Sequence, residues 1–281
     1  MTPDRKYASG IALRTALEER IKRASREEGI DLQRLRRQVA FDRFLARLFR
    51  SPNKNWVLKG GYAMELRFQT ARTTKDLDFT VRRAPAGPNA VLTELQDVGA
   101  VDAGDFFTFR IGEAMADLDG APYGGARYPV ECIMGGRIFV KFHLDVGIGD
   151  VVLDPQEQAK MRDWLGFAGI LPPSVPMIQR EQQFAEKLHA YTLPRTGAPN
   201  SRVRDLVDMV LLIRSRTLES SRVVQALHAT FGLRATHPVP KALDPPPEEW
   251  SAPFARLSAE CRLDLSASEA FRILADFYTD L

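Results

Sequence analysis

Between Trp56 and Val81 the chain runs W-V-L-K-G-G-Y-A-M-E-L-R-F-Q-T-A-R-T-T-K-D-L-D-F-T-V, and no other stretch constrains the fold as much. A short apolar run, Trp56 to Leu58, is cut by Gly60-Gly61. Tyr62 to Phe68 then reads as a helix and Asp76 to Val81 as a second strand. Residues without Cβ at a helix start let backbone N–H groups turn toward an incoming anion. In Asp76-Leu77-Asp78-Phe79, strand alternation puts both carboxylates on one face and sends Leu77 and Phe79 into the core. Two carboxylates side by side on an accessible face are costly unless a cation joins them. Mg²⁺ carrying a triphosphate suits such a pair.

A second informative strand runs from Arg137 to Ile148. Its even positions Ile138, Val140, Phe142, Leu144, Val146 and Ile148 are apolar, whereas Lys141, His143 and Asp145 share the other face. His143 is read as a solvated hydrogen-bonding residue. Phe106–Ile111 and Arg127–Ile133 are also strand-like, with turns at Gly124-Gly125 and Gly135-Gly136.

Two helices precede this unit. Leu13, Leu17, Ile21 and Ala24 mark the buried side of the first, closed by Gly29, and Asp31 caps the second. In the second, Phe41, Phe44, Leu45 and Leu48 form the inner side, and Arg36, Arg43 and Arg47 are expected on a common outward stripe. Ser51-Pro52-Asn53 ends that helix. Arg83 to Pro88 reads as a loop and Asn89 to Val101 as a helix. Leu171-Pro172-Pro173-Ser174-Val175-Pro176 reads as a linker, beyond which helical periodicity takes over. The expected domains are therefore residues 1–176 and 177–281.

At 44% hydrophobic and 27% charged, the 281-residue chain has the makings of a sizeable core. Cys132 and Cys261 lie far apart without a C-x-x-C partner, which speaks against a disulfide framework or a zinc knuckle. No apolar run is long enough to span a bilayer, and the first residues lack the apolar core of a signal peptide, so a cytoplasmic protein is expected. The net charge is +3, but residues 1–50 hold thirteen Lys and Arg against seven Asp and Glu. That local excess suits either contact with RNA phosphates or a solvated helix face.

The order diglycine, helix, D-x-D resembles the first motif of the nucleotidyltransferase superfamily. Lys59-Gly60-Gly61-Tyr62-Ala63-Met64, followed by Arg72-x-Thr74-x-Asp76-Leu77-Asp78-Phe79, narrows the resemblance to the AbiEii/MenT nucleotidyltransferase toxins of bacterial toxin–antitoxin systems. Lys187-Leu188-His189-Ala190 is similar to that family's K-x-x-A motif. Arg202-Val203-Arg204-Asp205-Leu206-Val207-Asp208 is similar to its R-x-K/R-D-x-x-D motif. Asp205 and Asp208, three apart, would share a helix face.

The resemblance implies an α+β fold, with a polymerase-β-like mixed-sheet domain followed by a helical C-terminal domain. It also implies Mg²⁺ dependence, an NTP co-substrate, an RNA acceptor that is often tRNA, and a cognate antitoxin. Carried onto this chain, Gly60, Gly61 and Thr74 bind phosphate, and Asp76 and Asp78 hold the metal. Lys187 grips the triphosphate, Asp205 supports the site, and Asp208 belongs to the nucleotide-binding set. Asp145 stands where the superfamily places a third carboxylate, as a metal ligand or as acceptor of the attacking hydroxyl's proton. Two alternatives stand beside transfer to RNA: transfer to a small molecule such as an antibiotic, and a catalytically silent module that binds RNA or a protein.

Overall fold

A computed structural model describes residues 6–50, 55–83, 89–118, 121–195 and 200–281. Ser9 begins α1 (Gly10–Glu28) by accepting a hydrogen bond from the Ala12 N–H, and Gly29 ends it in the left-handed region at φ 66°. Asp31 does the same for α2 (Leu32–Leu48), accepting from the Arg34 N–H. Strand β1 (Trp56–Lys59) runs directly into α3 (Gly60–Arg67), followed by β2 (Asp76–Val81) and α4 (Ala90–Ala100). Next come β3 (Phe107–Ile111), β4 (Ala116–Asp117), β5 (Gly125–Met134), β6 (Arg137–Ile148), β7 (Glu157–Lys160) and β8 (Ser174–Met177). The remaining elements are helices: α5 (Arg180–Thr192), α6 (Val203–Arg214), α7 (Ser220–Arg234), α8 (Ser251–Glu260) and α9 (Ala267–Thr279). The last of these opens with a reciprocal cap between Ser266 and Glu269.

The chain divides into two compact units that interleave in sequence. One comprises Met1–Leu58, Thr73–Gly149 and Gln158–Met177, the other Lys59–Arg72, Asp150–Glu157 and Ile178–Leu281. The first carries the sheet, in the order β3-β5-β6-β2-β1-β8-β7 with β4 beside β5. It is mixed: β2 and β6 are parallel, as are β1 and β8, whereas β5 is antiparallel to both β3 and β6. Helix α2 packs on β6 and β8 and touches α1 and α4. Its Phe41 and Phe44 meet Phe142 of β6 edge to face at 5.0 and 6.4 Å, and Phe44 meets Phe109 of β3 at 5.4 Å.

Leu13, Leu17, Ile21 and Ala24 are the buried residues of α1, as their spacing predicts. The hairpin between β5 and β6 turns on Gly135 and Gly136, at φ 59° and 76°, a pair of left-handed positions open to glycine. Two residues past that turn the register shifts. Cys132 pairs with Val140 while Ile133 pairs with Ile138, so Phe139 is an extra residue in β6. Phe139 is buried and Ile138, expected inside, is 45% exposed.

The arginines of α2 also depart from expectation. Arg43 and Arg47 do not line an outward stripe but are buried, and Arg36 is tied to Glu18 of α1 at 2.7 Å. Arg47 donates twice to Asp105, at 2.9 and 2.6 Å, and once to the Phe107 carbonyl at 2.6 Å. Arg43 lies 3.2 Å from the same carboxylate, which has no exposed surface. Helical spacing identifies a common face. It does not say what covers that face, and here the segment between α4 and β3 does.

The stretch read as a linker holds strand β8, whose Met177 pairs with Leu58 of β1. Ser51–Asn53 and the loop after Arg83 lie outside the described residues. No helix among the described residues is long and apolar enough to cross a membrane. The second unit is built on a core of Phe184, Leu188, Leu206, Val210, Val223, Phe231, Phe254 and Leu274, which also takes in Met64 of α3.

Candidate active site

In β2 the period of two holds: Leu77 and Phe79 have no exposed surface, while Asp76 and Asp78 are half-buried on the opposite face. Parallel register sets Asp76 against His143 and Asp78 against Asp145. Antiparallel register then sets Asp145 against Arg127 of β5. Three adjacent strands thereby collect three acids, a histidine and an arginine on one face. Arg127 Nε donates to Asp145 Oδ1 at 2.7 Å and Nη2 to Oδ2 at 2.6 Å. The same Nη2 lies 3.6 Å from Asp76 Oδ2, and His143 Nδ1 lies 3.1 Å from Asp76 Oδ1. The hydrogen bond to Asp145, with the charges of Asp145, Asp76 and Asp78 behind it, holds the guanidinium protonated well above its ordinary range against a modest cost of burial. Thr74, just before β2, is buried; its Oγ1 donates to the Asp76 carbonyl at 3.4 Å and its own carbonyl accepts from Arg37 at 3.2 Å.

Among the described residues no three His, Cys, Asp or Glu side chains converge as a ready-made metal cage. Mg²⁺ seldom uses one; it takes one or two carboxylates and completes its shell with phosphate oxygens and water. Asp76 and Asp78 fit that requirement, being hard oxygen donors on an accessible strand face. Asp145 has both oxygens engaged by Arg127.

The second unit holds another charged cluster. Lys187 on α5 donates to Asp208 at 2.6 Å and to Asp205 at 3.3 Å, two acids one turn apart on α6. Arg72 also binds Asp208, Nε at 3.1 Å and Nη2 at 2.8 Å, and Asp208 has no exposed surface. Burial alone would lower the pKa of the Lys187 ammonium, but Asp208 and then Asp205 outweigh it and raise it. Burial likewise works against the Asp208 carboxylate, yet Lys187 and Arg72 bring its pKa below the usual range.

Helix α3 starts at Gly60, whose φ of 65° is open to glycine at little cost, and its carbonyl accepts from Gln183 at 2.7 Å. Gly61 is buried behind it. Lys59, immediately before, pairs with Asp150 and with Glu186, and Asp150 accepts a second cation, Arg234, at 2.7 Å.

The model of the nucleotidyl transferase AbiEii toxin family, type IV toxin–antitoxin system, matches residues 43–275. The chain belongs to this family. Among solved structures, MenT4, a nucleotidyltransferase toxin of Mycobacterium tuberculosis H37Rv, is similar over 92% of this chain and 93% of its own, with TM-score 0.59 and 19% identity. JHP933 from Helicobacter pylori is similar over 89% and 98%, with TM-score 0.45 and 15% identity. A comparison with curated protein sequences gives no match. The likeness to MenT4 speaks for the fold, a mixed sheet with helices of the nucleotidyltransferase-toxin kind.

Of the residues expected at the site of this AbiEii-family toxin, Asp76, Asp78 and Asp145 share one sheet face, and Lys187, Asp205 and Asp208 form one ionic cluster. Sequence reasoning gave no role to the ion-paired residues Arg127, Asp150 and Arg234, and quoted Lys59 only as part of a motif. Arg127 sits on an odd position of its strand, as Asp145 does of β6, and only the pairing of the two strands makes them partners. Lys59 borders the diglycine, a placement that could have drawn notice. Nothing in spacing marks Asp150 or Arg234.

Proposed function

We propose that this toxin transfers a nucleoside monophosphate from an NTP to the 3′ end of an RNA, with Asp76 and Asp78 as the protein's donors to Mg²⁺. The family is one of nucleotidyltransferase toxins, so a nucleotide substrate and a cognate antitoxin come with membership. The observation that carries the reading is the pair Asp76 and Asp78. Neither is required by the core, whose place on β2 is filled by Leu77 and Phe79, and their common face concentrates negative charge that a bound cation relieves. The acceptor hydroxyl oxygen bonds to the α-phosphorus, the bond to the bridging oxygen breaks, pyrophosphate leaves, and the hydroxyl proton passes to solvent.

When bound, Mg²⁺ supplies electrostatic stabilisation of the charge that develops on the phosphoryl oxygens. Gly60 and Gly61 offer backbone N–H groups to phosphate, with Thr74 supporting the start of β2. Lys187 is assigned a phosphate contact. Fully buried Asp208, which also binds Arg72, and then Asp205 keep the Lys187 ammonium charged and oriented. Asp145 enters through the arginine it holds. An RNA acceptor, tRNA first among those to try, sets the reaction in the cytosol.

A small-molecule acceptor is the second reading. It is favoured by the burial of Arg43 and Arg47, which removes an arginine row from the surfaces available to RNA phosphates. Incubation with each labelled NTP, total RNA and Mg²⁺ separates the two. Label on RNA, from one NTP and absent with Asp76→Asn, is the expected result. Label confined to small molecules favours the second reading, and no transfer to either class overturns both.

A further inference from the structure

The geometry points to Arg127 as a phosphate-binding residue of the transfer reaction, pinned by Asp145 and occupying Asp76 until a metal ion arrives. This rests on the nucleotidyltransferase reading above. Three observations carry it. First, the guanidinium spends Nε and Nη2 on Asp145 in a bidentate pair, the arrangement that best fixes an arginine's plane. Second, among the described residues Nη1 has no protein partner, and the side chain is 37% exposed although it stands among acids. Third, Nη2 reaches across the strands to within 3.6 Å of Asp76, one of the two acids assigned to the metal.

Asp145 is the less exposed partner of the pair, at 13%, and drawing it to a metal would break both of its hydrogen bonds to Arg127. It is therefore a positioning residue. Asp76 differs: its contact with Arg127 is longer, at 3.6 Å, and its side chain is 28% exposed. Asp76 and Asp78 would hold a divalent cation, for which Asp76 would have to give up its contact with the guanidinium. The freed N–H edge and the open Nη1 would then be donors for a phosphoryl group of the NTP. The arginine thus has two successive partners on one face, a carboxylate before substrate and a phosphate with it. Its tether to Asp145 is unchanged throughout.

The test separates metal from nucleotide and needs no acceptor. Mn²⁺ binding to nucleotide-free protein is read by electron paramagnetic resonance, and binding of each NTP with Mn²⁺ by calorimetry, for wild type, Asp76→Asn, Asp145→Asn, Arg127→Gln and Arg127→Lys. Arg127→Gln is expected to bind Mn²⁺ about threefold tighter or more, since a competing cation is gone. Its NTP affinity should fall about tenfold, the loss of one charge-assisted hydrogen bond. Arg127→Lys should fall between, keeping charge without the fork. Asp145→Asn should retain Mn²⁺ far better than Asp76→Asn while binding NTP more weakly than wild type. A merely structural arginine would weaken both ligands and lower the melting temperature, and that result overturns the proposal. So does NTP binding by Arg127→Gln equal to wild type, or loss of Mn²⁺ by Asp145→Asn as complete as by Asp76→Asn. If wild type itself binds no NTP, the parent reading falls and this one with it, whereas normal wild-type binding that Arg127→Gln leaves unchanged overturns this one alone.

Discussion

Lys187 Nζ lies 2.6 Å from Asp208, an acid with no exposed surface that also accepts two hydrogen bonds from Arg72. The pair is a structural element of the second unit as well as a candidate catalytic one. Truncating one member leaves the others charged and out of water. Asp208→Ala should therefore cost about 3–5 kcal/mol of unfolding free energy, because two cations lose their shared anion. Lys187→Ala should cost less, since Arg72 still neutralises Asp208. Urea titration of both variants gives the order, and an equal or reversed order would contradict this account.

Asp76→Asn should separate stability from activity. The side chain is half-buried, and no apolar packing depends on it. Its unfolding free energy should stay within about 1 kcal/mol of wild type, while transfer should fall by at least about a hundredfold as the proposed metal donor loses its charge. Growth of a bacterium expressing the variant should recover in parallel. Near-normal turnover would put the metal elsewhere.

Arg47→Gln tests the reassigned arginines of α2. Asp105 would keep Arg43 but lose the two short hydrogen bonds from Arg47. A loss of about 3–5 kcal/mol in stability is expected. In conditions where the variant remains folded, the salt dependence of RNA binding should match wild type, measured by filter binding, because this side chain does not reach solvent.

Stability should fall in mild acid through His189. Burial, followed by the charges of Arg234 and His237, pushes this imidazole down to about 4 from an ordinary value of 6.5. Between those values the unfolded chain binds the proton more readily than the folded one. The contribution is therefore complete above pH 6.5 and is lost as pH falls toward 4, up to about 3 kcal/mol. Melting temperatures at pH 7.5, 6 and 5 should drop more steeply for wild type than for His189→Gln, and parallel slopes would exclude His189 as the source.

Much of the fold was readable along the chain because its signals are local. The face of α1 follows from Leu13, Leu17, Ile21 and Ala24, the start of α2 from Asp31, and the Asp76, Asp78 face from a period of two. Strand β8 was hidden because its Pro176 and its neighbour Leu171-Pro172-Pro173 look like a break, and its place in the sheet between β1 and β7 makes Ser174–Met177 a strand. The bulge at Phe139 likewise exists only against β5, and moves Ile138 outside.

The sequence by itself determined which residues to propose for the chemistry: the diglycine and the D-x-D pair by type, order and spacing, and Lys187 and the acids of α6 through resemblance to family motifs. Tertiary structure decided what each charge is paired with. Arg47 and Asp105 lie 58 residues apart, Arg127 and Asp145 18, and Arg72 and Asp208 136, and no periodicity links such positions. Spacing along one helix or strand says which side chains share a face, because the backbone repeats. Whether that face meets water, an acid or a ligand depends on which distant segment is laid against it, and that is settled only when the strands have paired and the helices have packed.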